Sequence, residues 1–411
     1  MTIFAITNRA GLSYIPEATF GVTPVGGNGK SLRFTGESLD FALTKTGDKE
    51  IRQDRQESSS TTTDAKASGG IKTHMQYAEY DPLIAALLQT TIAAYGTDGV
   101  GTTFAATMTA TTITAGVAPI GTSDFTTLRA GQWFKLNAPT GTNDGKWLRV
   151  STITPPTTTV ITLDVSTPAL VEGPIAASSI SSCRMTNGVT QSSFTLERSV
   201  NNIAVPLFFT YKGYTVSKMA VSFASGSLTE PSFDFMGQNM VKGTAKVVPG
   251  VIAASQTYNI QNGVTGVGNI WEAGTPMTNT SIKKFDLSID NSLRQQGALG
   301  TLGAVGIGSG TLKVTGAAEI YLADGALIDK FLADTYTSFT ISTKDSAGNG
   351  YVYTLPKVMI TKCTTVAGSK DTDMMLSITW EAKADLTNAT AALRQTIFID
   401  RLGAAVPISF A

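Results

Sequence analysis

The second half of this chain repeats the first in worn form, and a repeat of that length limits the fold to arrangements that use one supersecondary unit twice. Ile71-Lys72, Tyr80, Leu83-Ile84 and Leu87-Leu88 find counterparts in Leu312-Lys313, Tyr321, Leu327-Ile328 and Phe331-Leu332, a strand followed by a short apolar helix each time. Further on, Phe194-Thr195-Leu196 matches Phe339-Thr340-Ile341, and Ser232-Phe233-Asp234-Phe235 matches Ser377-Ile378-Thr379-Trp380. Two copies of one unit in one chain raise the question of what assembly arrays such units around an axis.

The first helix is expected from Asp81-Pro82, where proline suits the first turn and aspartate the positive end, with Leu83, Ile84, Leu87 and Leu88 on one stripe. Its counterpart runs from Ala326 to Ala333 with the same stripe, Asp329 and Lys330 turning to solvent. A segment at 96–187 has no equivalent in the second half. Its strand rhythm is clear in Gly131 to Leu136, Gly145 to Val150 and Thr158 to Val165, and about 90 residues suffice for an inserted small β domain.

The expected organisation is therefore an N-terminal arm (1–28), a first unit in two pieces (29–95 and 188–250), the inserted module (96–187), a second unit (251–400) and a C-terminal arm (401–411). Turns at Tyr14-Ile15-Pro16 and Gly21 to Pro24, with few periodic apolar residues, suggest that the N-terminal arm lies on a neighbouring chain. Leu39 to Leu43 alternates as a strand, and the polar tract from Lys45 to Ser68 reads as a long loop, flexible around Ser58 to Thr63 until something packs on it.

Forty glycines among 411 residues, with Thr, Ser, Ala and Val abundant, favour a mainly β chain with minor α. Lys and Arg together number 31, as do Asp and Glu, and charged residues make up only 15%. No broad basic surface is left to grip nucleic acid, which excludes sequence-specific DNA binding. The first fourteen residues hold no apolar run of signal-peptide length, and no stretch of about 18 apolar residues occurs. Synthesis in a cytoplasm, without export or membrane insertion, is the expectation.

Sites of chemistry are sparse. His74 is the only histidine and has no nucleophile motif beside it, so it reads as a mid-strand residue. Cys183 and Cys363 lack ligand spacing and a CxxC pair and read as small buried hydrophobes. The Gly-rich runs at 263–268 and 300–310 lack the Lys-Ser/Thr end of a phosphate loop, and Asp371 and Asp373 fit a hairpin turn better than a Ca²⁺ loop. No catalytic, cofactor or metal site is expected, and no enzyme.

One motif stands out from this background, Glu50-Ile51-Arg52-Gln53-Asp54-Arg55-Gln56. Alternating opposite charges with little apolar content suit a contact segment, because arginine presents a rigid planar donor pair to carboxylates. Asp290-Asn291-Ser292-Leu293-Arg294-Gln295-Gln296 opens the equivalent loop of the second copy. Glu50, Arg52, Asp54, Arg55, Asp290 and Arg294 are accordingly the candidate contacts between subunits.

Outside the insertion the chain resembles the tail tube proteins of long-tailed siphophages. The resemblance rests on Leu32 to Leu39 leading into Glu50 to Gln56, on Tyr80-Asp81-Pro82-Leu83, on Lys284 to Asn291, and on Gly348 to Tyr351 running into Leu355 to Val358. It implies two tandem tail-tube-type β-sandwich or barrel units, each with a flanking helix, in a virion protein made in a bacterial cytoplasm. It also implies rings stacked into a tube for DNA ejection, with a tape measure protein and DNA in the lumen, and terminator and distal tail proteins at the ends. Inserted β modules look like the outward decorations of some relatives. If the ancestral ring holds six units, a chain with two closes as a homotrimeric, pseudo-hexameric ring. The rival readings are a tube-like tail adaptor or distal tail protein, and a β-rich surface adhesin with the insertion as its binding head.

Overall fold

The structure, a computed structural model, describes residues 4–255, 257–277, 281–367 and 370–407. It is mainly β, and the two α-helices among the described residues lie where the apolar stripes predict them: α1 at Asp81–Leu87 and α2 at Ala326–Leu332. The first half supplies β1 (Ala10–Glu17), β2 (Asp40–Gly47), β3 (Ser60–Lys72), β4 (Ser193–Val200), β5 (Leu207–Ala224) and β6 (Ser232–Gly237). These pair antiparallel in the order β2-β3-β6-β5-β4-β1.

The second half supplies β7 (Val267–Glu272), β8 (Ile282–Asp290), β9 (Lys313–Tyr321), β10 (Thr337–Lys344), β11 (Gly350–Val366) and β12 (Met375–Lys383). Their order, β8-β9-β12-β11-β10-β7, is the same.

Some irregularities coincide as well. A bulge, which locally bends and twists a strand, breaks the β5–β6 register between Val216 and Lys218 and the β11–β12 register between Ile360 and Lys362. On their other edges β5 and β11 shift against Phe194/Leu196 of β4 and Thr337/Phe339 of β10. Gly69 in β3 and Gly316 in β9 each leave no room for a side chain, which would strike Ser38 O in one case and Asp286 O in the other.

These landmarks correct the residue matches made from sequence. Phe233 faces Ile71 as Ile378 faces Ala318, so Ile71 corresponds to Ala318 and not to Leu312. Leu196 faces Tyr211 as Phe339 faces Leu355, so Leu196 and not Phe194 corresponds to Phe339. Both displacements are even numbers of residues, and a strand repeats every two, so the alternation matched although the register did not. Tyr80 is buried at the start of α1 whereas Tyr321 ends β9 half-exposed, and Leu88 is buried while Leu332 is exposed.

The two halves join edge to edge. Beyond β6 the end of β5 pairs with β8, from Lys218 opposite Asp290 to Ala224 opposite Lys284. One continuous eight-stranded antiparallel sheet results, β2-β3-β6-β5-β8-β9-β12-β11. Alternation gives it two faces: Phe285, Leu287 and Ile289 of β8 are buried, and Lys284, Asp286 and Ser288 between them are not. On the apolar face α1 packs on β5 and α2 on β11. Leu83, Phe233, Phe285 and Trp380 belong to a single core shared by both halves, each contributing about 1.5–3 kcal/mol by burial. A buried pair, Asp81 of α1 with Arg401 at 2.7 Å, joins the first helix to the chain's last strand, Phe398–Leu402, and Tyr351 of β11 donates to the same carboxylate at 2.5 Å.

The terminal segments depart from the expected arms. β1 pairs with β4 along eight residues and buries Leu12, Tyr14 and Ile15, while Phe398–Leu402 pairs with β11 and buries Arg401. Prolines and turns masked a strand whose inward residues are spaced too briefly to show a period. The Ser/Thr tract is also ordered: Thr61 and Thr62 of β3 pair with Thr46 and Lys45 of β2, since β-branched threonines suit an extended ladder without any core.

Within 96–187 a six-stranded sheet encloses its own core of Phe104, Ile113, Phe125, Phe134, Leu136 and Ile161. The Trp133 ring packs tilted against Trp271 of β7, centroids 4.9 Å apart, and the Trp133 backbone N–H donates to Asp400 at 3.0 Å. The last strand of this range, Cys183–Thr186, leaves the module and pairs with Phe398–Leu402, with Arg184 forking Asp400 at 2.7 Å.

Candidate assembly interface

The polar face of the eight-stranded sheet carries both signs of charge in alternation with small residues. Lys66, Lys284 and Lys383 share it with Asp234, Asp286 and Glu381, and Lys284–Asp286 and Lys383–Glu381 are ion pairs along single strands. Residues two apart on a strand point the same way, which is why these pairs form.

The sheet also has two free edges. Among the described residues β2 pairs with no strand but β3, and β11 from Met359 to Val366 with none but β12. An unpaired edge presents a row of N–H and C=O groups, a template for another chain.

Glu50, Arg52, Asp54 and Arg55 sit at the tip of the β2–β3 hairpin, all exposed. β3 pairs with β6 only over Ala67–Lys72, so Ser60–Asp64 and the facing end of β2 stand clear of the body by about 15 Å. The tip is internally braced. Arg52 donates from Nε and Nη2 to the two oxygens of Asp54, at 3.0 and 2.8 Å, and this hydrogen bonding holds the Asp54 carboxyl below its usual range. Ser58 likewise donates to Asp48, holding that carboxyl down. Arg55 adopts a left-handed φ of 58°, and Ile51 is fully exposed beside it.

Asp290 and Arg294 fall at the equivalent place but in a different structure. Asp290 ends β8 and accepts from Ser292 N at 2.6 Å. Arg294 opens a separate small hairpin, Arg294–Gly297 with Ala304–Gly308, and donates to Ser309 O at 3.4 Å within it. That hairpin is folded down on the first unit: Ala304 and Ile307 are buried, Gln295 donates to Gly237 O, and Gln191 donates to Ile307 O. Among the described residues no hydrogen bond or ion pair joins the Glu50–Arg55 tip to Asp290 or Arg294.

The residues with reactive side chains remain separate. His74 follows β3 rather than lying within it, with Nδ1 3.4 Å from Glu230. Burial pushes the Cys183 thiol up to about 11, against the pull of Arg401 beside it, and both cysteines are free. The described residues contain no cluster of three or more metal-ligating side chains, and no helix among them is long and apolar enough to cross a membrane. The free edge of β11 has no signature in the sequence, because an edge is a property of pairing and not of any residue pattern.

Two comparisons bear on identity. The family model described as phage tail tube protein matches residues 7–382 of the chain, while no curated protein matches it.

Proposed function

We propose, from the premise that the chain belongs to the phage tail tube protein family, that three copies close into one ring and that stacked rings form the tail tube through which phage DNA leaves the capsid. The family makes the protein a structural component of the phage tail that assembles with itself into a tube. The observation that carries the finer reading is the continuous eight-stranded sheet with its two free edges. Three such sheets joined edge to edge make a closed barrel of about 24 strands, which leaves no edge exposed. At about 4.8 Å spacing and about 40° tilt the backbone radius is roughly 24 Å, leaving a bore of roughly 35–40 Å for duplex DNA. Six chains would give about 48 Å, far wider than a conduit needs.

In this reading the polar face of the sheet lines the bore. Its interleaved lysines and carboxylates suit passage, since a strongly basic wall would hold DNA by counterion release. The lumen is occupied by a tape measure protein before DNA enters it, terminator and distal tail proteins close the two ends, and the inserted module faces outward. The braced tip with Glu50, Arg52, Asp54 and Arg55 makes the main contact between rings, while Asp290 and Arg294, at the equivalent place of the second unit, sit by the folded-down hairpin and add at most a minor one.

Negative-stain images of the purified chain, with and without a tail initiator, test the proposal. Hollow tubes or ring stacks are expected; chains that stay monomeric at high concentration with initiator present would overturn it. A tail adaptor, in contrast, would form a single ring and be a minor virion band.

A further inference from the structure

Resting on that reading, the joint between the two halves of one chain serves as a template for the joint between chains. In β5, Met219 lies opposite Phe233 on one side and opposite Ile289 of β8 on the other. In β11, Cys363 holds the place of Met219, for it lies opposite Ile378 of β12 as Met219 lies opposite Phe233, just past the same bulge. Its other side has no strand among the described residues. On the opposite edge of the sheet, Phe41 of β2 holds the place of Ile289. It faces Ala67 as Ile289 faces Val314, and Ala67 and Val314 face Gly237 and Ala382 in turn.

We infer that β2 of a second copy of this chain pairs antiparallel with the free edge of β11, in the register that sets Phe41 opposite Cys363. The same register sets Asp40 opposite Thr364. Burial supports the match: Met219 and Ile289 are fully covered in the internal joint, whereas Cys363 and Phe41, on the same face of their strands, pack against the core but remain half-exposed. A small thiol against a large ring preserves the packing that methionine and isoleucine achieve at the internal joint. Exposed apolar side chains at both ends of one sheet, and at matching positions, are what a joint awaiting its second strand leaves behind.

The native thiol makes the register testable. Directly opposed residues of an antiparallel pair have Cα atoms about 4.5–5.5 Å apart, within the range a disulfide spans. Phe41→Cys, with Cys363 retained, is assembled and mildly oxidised, then run on a non-reducing gel with peptide mapping of the link. Most chains are expected in covalent multimers through residues 41 and 363, the ladder stopping at three, and Cys363→Ser should abolish it. Because Phe41 touches the core, Asp40→Cys with Thr364→Cys in a Cys363→Ser background tests the same register at the polar face. Asp40→Cys with Lys362→Cys, two residues out of register, should not link. Tubes that form but link through neither in-register pair would overturn the inference alone, whereas unsubstituted chains that never assemble would overturn the tube reading beneath it.

Discussion

The connections that join β2 to β3 and β8 to β9 occupy the same place in the two halves, yet one stands out from the body and the other lies down on it. In the first, the strands themselves run on past the sheet and end in a charged tip whose described hydrogen bonds stay within the tip, as from Arg52 to Asp54, Ser58 to Asp48 and Gln56 N to Asp54. In the second, β8 stops at Asp290, and a small hairpin buries Ala304 and Ile307 against the first unit. A repeated unit therefore carries two loops with different tasks, one free to reach a neighbour and one that stabilises the chain it belongs to. In the proposed ring of three chains, projecting tips would alternate with folded hairpins around the rim, and the ring would be sixfold in its wall and threefold in its contacts.

The sharpest way to break this comparison is to shorten each hairpin in turn. Replacing residues 47–60 by a two-residue Asn-Gly turn should leave a folded chain and intact rings but no tubes by electron microscopy, since the removed part touches no core. Removing 297–304 should instead yield poorly soluble or molten protein. Equal outcomes for the two deletions would erase the distinction.

Charge reversal at the tip comes next. Arg52→Glu with Arg55→Glu should raise the concentration needed for stacking by about tenfold or more, as charge-assisted hydrogen bonds contribute about 1.5–3 kcal/mol each, and light scattering reads it. Normal stacking would make the tip a solvated charge run. Stability should divide the other way. Ile307→Ala is expected to cost about 2–4 kcal/mol in denaturant unfolding, against no more than about 0.5 kcal/mol for the exposed Leu43→Ala on the projecting hairpin. Arg294→Glu, whose native side chain bonds within its own hairpin, should alter stacking only a few-fold.

The smallest effect on assembly is expected from the inserted module. Deleting all of 96–187 would remove Arg184 and leave Asp400 buried without its partner, a loss of about 3–5 kcal/mol. Joining Tyr95 to Ser182 through a short turn keeps that pair, and the two residues are already hydrogen-bonded neighbours. Tubes of unchanged helical rise but reduced outer diameter are predicted from that deletion. Failure to fold would show that the module's sheet supports the body and not only itself.

How far the sequence could be read depended on what kind of regularity each feature has. The helix stripes at Leu83 to Leu87 and Leu327 to Phe331 and the alternation in Phe285 to Ile289 were legible because burial of one face imposes a period. The same period concealed the register errors, since shifting Phe194 onto Phe339 or Ile71 onto Leu312 keeps every side chain on its proper face. The register is fixed by the coinciding bulges of β5 and β11, which have no residue signature here, and by the cramped Gly69 and Gly316, two glycines among forty. The partner of Asp81 was likewise hidden. Its place at a helix start suggested a dipole role, whereas the carboxylate is shared by Arg401 and Tyr351, and burial, then that carboxylate, push the Tyr351 phenol far above its ordinary value. The charged tip was found for its composition, but nothing in the sequence distinguished a projecting hairpin from a folded one.

The central claim is that one chain supplies a third of the ring, because both halves lie in one sheet. Native mass spectrometry of rings released from tubes, read together with the rotational symmetry of tube cross-sections, tests it most directly. The account predicts three chains of 43.0 kDa per ring, a threefold cross-section and pseudo-sixfold density in the wall. Six chains per ring with true sixfold symmetry would contradict it, and would mean that the two halves of the sheet do not both line the bore.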